Sequence, residues 1–192
     1  MMTRNRLLTA IGCILLAIPG LAGCNRDRGV EAAQGAAQEN GPPSVTPAAQ
    51  DFMRKTAEMN LSDIDMARLA LQKSRNADVR DFANMIQSDL TAALVDLSGL
   101  MKDKGVSQPK TASPDARQDI DRMAGLMGPE FDREFINMMV ADQQKAVQMF
   151  RDQIGIAMDA DVKRYAEDLL PKLEMHLEKA QRLQSKLFKA TR

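Results

Sequence analysis

The chain has 192 residues, in which 26 Lys and Arg balance 26 Asp and Glu, with one His, two Cys, one Tyr and no Trp. This composition offers neither the basic surface that holds a phosphate backbone nor the aromatic side chains that stack on bases, so no nucleic-acid partner is expected. The stretch that follows residue 46 has the length of one domain.

The first 23 residues have the layout of a secretory signal peptide. Two arginines precede an apolar run over residues 7–18, which ends before it reaches the roughly 20 residues that a membrane-spanning helix needs. The run leads into Leu-Ala-Gly-Cys at residues 21–24, which matches the lipobox of bacterial lipoproteins. We therefore predict cleavage after residue 23 and acylation of Cys24, for example with palmitate, so that an N-terminal lipid holds the protein at a membrane.

Residues 24–46 are predicted to form a disordered tether behind the lipidated cysteine. They are rich in Ala, Gln, Gly and Pro and have almost no large apolar side chain to bury. As a flexible coil of about 22 residues the tether would span roughly 26 Å. By resemblance to lipoprotein sorting in Gram-negative bacteria, Asn25 favours the outer membrane, and we expect the domain to face the periplasm.

The domain at residues 47–192 is predicted to be all-α. Apolar residues recur at three- and four-residue spacing and no run alternates with a period of two. The first helix begins at Thr46 as N-cap, with a proline in its first turn, and runs to about Ser74. Asn76 caps the second helix, which ends at Gly105.

Three further helices complete the prediction. A short helix runs from Ser113 to about Gly128, a third long helix then ends at Gly155, and Asp159 caps the fourth long helix. The expected architecture is an antiparallel four-helix bundle with one additional short helix, preceded by the signal peptide and the flexible tether.

Two aspartates occupy equivalent positions in an apparent internal repeat. Residues 76–90 resemble residues 159–173, and Asp63 recurs as Asp142 in the corresponding long helices, although amphipathic helices also match by chance. Both aspartates have helical spacing among methionines expected to face inward. They are candidate metal ligands, and the alternative is that they reach solvent or a basic neighbour such as Arg68 or Lys145.

His176 is the only histidine and stands in an otherwise apolar stripe of the last helix. It is interpreted either as a buried neutral imidazole with hydrogen-bond partners, as a metal ligand, or as a group with a proton-linked or partner-binding role. A complete di-iron site is not expected because Leu173 stands where a Glu-x-x-His pair would have its glutamate. At most a single transition-metal ion remains possible, held by Asp63, Asp142 and His176.

The mature chain has twelve methionines, which are interpreted mainly as flexible core filling, with copper binding or an oxidant sink as alternatives. No enzymatic activity is expected. A single histidine, no thiol behind the lipidated cysteine and no Gly-flanked serine leave no nucleophile–base pair to propose.

Five segments between residue 52 and about residue 183 follow one another in a recognisable order: FMRKTAEMNLSDIDMARLAL, ADVRDFANMIQSD, GPEFDREFINMM, ADQQKAV and LLPKLEMHLEKAQRL. In these segments the chain resembles the family called domain of unknown function 4142. The resemblance implies a ferritin-like bundle of the outer membrane. It also implies a glutamate where this chain has Asp63 and histidines where it has Leu90 and Gln143, while His176 is kept. Leu90 and Gln143 are thus expected to replace family histidines at core positions.

The function expected from these observations is that of a lipid-anchored cell-envelope protein with a non-enzymatic binding or envelope-stress role, without a cofactor. An envelope protein is a possible partner, besides the membrane itself. The alternative is a metal-binding protein that uses the partial Asp63, Asp142 and His176 set.

Overall fold

The computed structural model describes residues 45–189. The predicted signal peptide, Cys24 and all but the last two residues of the tether lie outside the described residues. Five helices form the domain: α1 (Pro47–Lys73), α2 (Ala77–Asp103), α3 (Pro114–Ala124), α4 (Gly128–Ile156) and α5 (Ala160–Lys189). The predicted all-α, ferritin-like bundle with one short extra helix is confirmed.

The helix boundaries follow from local capping chemistry. The side chains of Thr46, Asn76 and Ser113 each accept a hydrogen bond from a backbone N–H in the first turn of their helices. Asp159 does the same for α5, where its carboxylate accepts from the N–H groups of residues 161 and 162. Thr46, Asn76 and Asp159 were predicted as caps, and Ser113 as the start of α3.

α2 ends where the chain needs a left-handed residue. Gly105 has a φ of 67°, and the N–H of Val106 donates to the carbonyl of Met101 over 2.8 Å, which closes a Schellman turn. Two other predicted ends were wrong. Gly155 lies inside α4, which continues to Ile156, and α3 stops at Ala124 rather than near residue 128.

The long helices pack as two antiparallel hairpins, α1–α2 and α4–α5. Hydrogen bonds and ring contacts give the register between them: Asp63 bonds Gln143 and Phe52 meets Phe150, so α1 and α4 are antiparallel. α2 and α5 are also antiparallel, because Lys186 pairs with Asp78 near one end and Lys104 with Asp161 near the other. Consequently α2 and α4 run in the same direction, and residues 104–127 carry the chain back along the bundle.

α3 lies in this return connection and packs against α1 and α4. Met123 is the only fully buried side chain of α3, so the helix covers the outside of the bundle rather than entering its core. The core is built from the inner faces of the four long helices. Phenylalanines from α1, α2 and α4 meet there, with Phe52 and Phe150 ring centroids 5.0 Å apart.

Candidate functional site

One level of the bundle, about midway along it, carries polar side chains in an apolar core. Asp63 of α1 and Gln143 of α4 are joined by a hydrogen bond of 2.9 Å. His176 of α5 lies within about one helical turn of this level, since the pairs Arg151–Glu174 and Asn137–Gln184 bracket Gln143 and His176 along the α4–α5 hairpin.

The remaining long helix, α2, contributes an apolar side chain to this level. His176 bonds Asp89 of α2, and the next residue of α2, Leu90, is fully buried. We call Asp63, Leu90, Gln143 and His176 the central layer. Their exposed fractions are 3%, 0%, 0% and 0%, so each helix contributes one buried side chain to the layer.

His176 is held by a carboxylate. Its Nε2 lies 2.9 Å from Oδ2 of Asp89, whose other oxygen lies 3.3 Å from Nζ of Lys172. Burial lowers the pKa of His176, against the opposing effect of Asp89, so the ring is neutral near pH 7. Burial would raise the pKa of Asp89, but the hydrogen bonds from His176 and Lys172 outweigh it and lower that pKa.

These protonation states assign the tautomer of His176. An ionised Asp89 only accepts hydrogen bonds, so Nε2 carries the proton and donates it. Nδ1 then has an unprotonated lone pair, and among residues 45–189 it has no hydrogen-bond partner. The arrangement corresponds to the buried neutral imidazole that the sequence suggested as one alternative, with Asp89 as its partner.

Asp63 faces two environments. Its Oδ2 accepts a hydrogen bond from Nε2 of Gln143 within the core, and its side chain also borders a cavity at the side of the bundle. Burial, reinforced by the negative charge of Asp142, raises the pKa of Asp63 well above its usual value, against the opposing effects of Gln143 and Lys145. A carboxylate in this position gains from a nearby cation.

Asp142 lies at the boundary of the core. Its side chain is 25% exposed and pairs with the exposed Lys145 over 3.4 Å, as one of the sequence alternatives anticipated. Burial raises the pKa of Asp142 even though Lys145 opposes the shift. Asp142 points into the same side cavity as Asp63.

The side cavity lies between α1, α3 and α4 and has a volume of about 290 Å³. Four methionines line it, two from α1 and two from α4, and the residues of α3 form its outer wall. We call it the methionine cavity, and its principal lining residues are Met59, Met66, Met138, Met149, Asp63 and Asp142. It combines four thioethers with two carboxylates whose ionisation burial opposes.

The three predicted metal ligands do not lie together in the structure. Asp63 and Asp142 share the methionine cavity, whereas His176 directs its Nε2 to Asp89 between α2 and α5. Within residues 45–189, no three or more His, Cys, Asp or Glu side chains are grouped so as to hold a metal ion. A site built from Asp63, Asp142 and His176 alone is therefore not formed.

Sequence reasoning missed two features of this region. It did not identify Gln143 as the hydrogen-bond partner of Asp63, and it treated the methionines mainly as core filling. The latter holds for Met53, Met101 and Met139, which are fully buried, and Met66 is equally buried although it also lines the cavity. The signal that distinguished the cavity methionines was their spacing, because Met59 precedes Asp63 by four residues as Met138 precedes Asp142.

Solved structures with the same fold include two DUF305 proteins. A DUF305 fragment from Deinococcus radiodurans superposes with a TM-score of 0.67 and 19% identity, over 75% of this chain and 99% of that one. A DUF305 protein from Streptomyces coelicolor, described as secreted, superposes with a TM-score of 0.63 and 15% identity, over 73% and 92%.

CopM in its Cu(I)-bound form is a third structure of this fold, with a TM-score of 0.62, 21% identity and coverage of 72% of this chain and 96% of CopM. No curated protein matches the chain by sequence. None of the helices in residues 45–189 combines the length and the apolar character that crossing a membrane requires. The family model for domain of unknown function 4142 matches residues 34–183, and the chain belongs to that family.

Proposed function

We propose that this protein binds a soft metal ion, Cu(I), in the methionine cavity and does so at the cell envelope, held there by a lipid on Cys24. The single observation that carries the proposal is that Met59, Met66, Met138 and Met149 all line one open cavity. Methionine is a common filler of core gaps, but it is also used at adaptable binding surfaces.

The ligand chemistry favours Cu(I) over harder ions. Thioether sulfur is a soft, neutral ligand that selects Cu(I), whereas Mg²⁺ and Ca²⁺ prefer a full set of oxygens. The two carboxylates add the charge that a neutral thioether set lacks. A cation beside Asp63 would offset the cost of ionising a carboxylate that is only 3% exposed.

Little positive charge at the cavity would repel a bound cation. Lys145 is directed to Asp142 and has a side chain that is 72% exposed, so its positive charge is screened by solvent and by its partner. Lys55 also borders the cavity and is exposed. The inner wall, formed by Asp63 and Met66, carries no positive group.

The comparisons support the proposal at the level of fold. CopM has been solved in Cu(I)-bound and Cu(II)-bound forms on a bundle of the same kind. The Streptomyces coelicolor relative in fold is described as secreted, in keeping with the secretion signal and lipobox at the start of this chain. We propose an outer-membrane lipoprotein whose domain faces the periplasm and which binds the ion without catalysis.

The binding proposal is tested by titrating the mature chain with Cu(I) in the absence of oxygen against a chromophoric Cu(I) chelator. The test variant is Met59→Leu with Met138→Leu, which removes two thioethers from the cavity and keeps side chains of similar volume. The control is Met127→Leu with Met158→Leu, which removes two exposed thioethers outside the cavity.

We expect the wild type to take up Cu(I) and the cavity variant to bind it at least about tenfold more weakly, which corresponds to about 1.4 kcal/mol. The control should match the wild type within about twofold. Equal affinity in the cavity variant would refute the site, and a wild type that takes up no Cu(I) would refute the function.

The anchor is tested separately in cells. Cys24→Ala should release the protein from the membrane fraction, because the side chain proposed to carry the lipid is then lost. Unchanged retention in the membrane fraction would contradict the lipid anchor and would leave the copper result unaffected.

A further inference from the structure

Four helix ends meet where the chain enters the bundle. α1 begins at Pro47 and α2 ends at Asp103. Because α4 is antiparallel to α1 and α5 is antiparallel to α2, the turn between α4 and α5 lies beside these two ends. Nζ of Lys104 lies 2.7 Å from Asp159 and 2.8 Å from Asp161, which ties the end of α2 to the start of α5. We call this the entry end of the bundle.

The entry end presents an apolar tip to solvent. The tip comprises residues 155–158, Gly-Ile-Ala-Met, a sequence without a charged or hydrogen-bonding side chain. Ile156 is 63% exposed and Met158 is 89% exposed. Single exposed apolar side chains are common on protein surfaces, but here two large ones occupy one turn.

An apolar groove continues the tip along the side of the bundle. It runs between α1 and α4. Ala48, Phe52, Met149 and Ile156 are its apolar lining, and polar and charged side chains, among them Asp51 and Asp152, also border it. The acidic side chains that follow the tip, Asp159 and Asp161, are engaged by Lys104, whereas Asp152, one turn before the tip, borders the groove. Together the tip and the groove form one apolar face at the entry end.

We propose that this tip enters the headgroup region of the membrane to which the protein is anchored. The inference rests on the lipid anchor in the proposed function and is independent of copper. The tether predicted between Cys24 and the entry end would have a root-mean-square span of roughly 26 Å as a flexible coil, so the proposed lipid would hold this end near the bilayer. Tethering gives even a weak apolar contact a high effective concentration at the surface.

The experiment uses the acylated mature protein reconstituted in phospholipid vesicles with and without brominated acyl chains. Because the chain has no tryptophan, a single introduced indole reports on one position. The probe is Met158→Trp in the tip. The matched control is Met127→Trp, which is 78% exposed at the opposite end of the bundle, just before α4.

We expect the brominated lipid to quench Met158→Trp at least about threefold more than Met127→Trp, with blue-shifted emission only at the tip, as for a side chain in the interface. Equal quenching of Met158→Trp and Met127→Trp would overturn the proposal. So would the absence of quenching in protein that floats with the vesicles. Blue-shifted but unquenched emission would show that a second copy covers the tip, which also overturns it. Protein that fails to float would show that the anchor, and this inference with it, is wrong.

Discussion

Replacing Leu90 with alanine tests the placement of the central layer. Leu90 is fully buried, and the substitution removes most of its side chain from a level where the other three residues are Asp63, Gln143 and His176. A buried leucine truncated in this way costs about 2 to 5 kcal/mol through lost burial and the cavity that remains. For a domain of this size, 1 kcal/mol corresponds to roughly 2 to 4 °C in Tm, so we expect Tm to fall by about 4 to 20 °C.

The assay is urea unfolding of wild type and Leu90→Ala, read by circular dichroism, with thermal melts in parallel. The control is Val95→Ala on the same helix, where the side chain is 66% exposed and the expected change is within about 0.5 kcal/mol. The midpoint should shift without a change in the slope of the transition. A change below about 0.5 kcal/mol for Leu90→Ala would refute the placement of α2 in the bundle.

Two further predictions concern the buried ionisable groups. Because the pKa of Asp63 is raised in the folded state, its contribution to stability is present below the unfolded pKa of about 4 and is lost as pH rises through the folded pKa. Asp63→Asn should remove this loss, and an unaltered pH profile of the unfolding free energy would contradict the burial of the carboxylate. The pKa of His176 is lowered, so its contribution is present above pH 6.5 and is lost as pH falls through the folded pKa. His176→Leu should lessen the loss of stability below pH 6.5. It should also leave the Cu(I) affinity within about twofold of the wild type, as for any change outside the methionine cavity. A steeper loss of stability or a lost affinity would contradict the assignment of His176 as a buried neutral imidazole outside that cavity.

The helices were predictable because the information that forms them is local. Thr46, Asn76, Ser113 and Asp159 each cap a helix with their own side chains, and these residues are visible in the sequence. The apolar stripes likewise identify which face of each helix is buried, as Leu90 on α2 illustrates. Nothing in these signals depends on which helices become neighbours.

The site was harder to predict because it depends on contacts between helices. Asp142 and Gln143 are adjacent in sequence, but one residue turns the direction of a helical side chain by about 100°. Gln143 therefore enters the core and bonds Asp63, whereas Asp142 faces the side cavity. The pairing of His176 with Asp89 depends on the register between α2 and α5, which no single helix specifies.

The position of α3 was the other unpredictable element. Its own sequence predicts a short helix, but only the return connection between α2 and α4 places it over Asp63 and the methionines. Without α3 the thioethers of α1 and α4 would lie on an open surface. The methionine cavity is thus a property of the chain path, although the spacing of Met59 and Met138 relative to the aspartates was visible in the sequence.

X-ray absorption at the copper edge of the Cu(I)-loaded mature protein tests the central claim most directly, because it identifies the atoms bound to the metal. The account predicts sulfur ligands in the wild type. Since Cys24, whose sulfur would carry the proposed lipid, is the only cysteine after residue 23, those sulfurs are expected to be methionine thioethers. The signal should lose sulfur in Met59→Leu with Met138→Leu and persist in His176→Leu. Coordination by nitrogen and oxygen alone in the wild type would contradict the account.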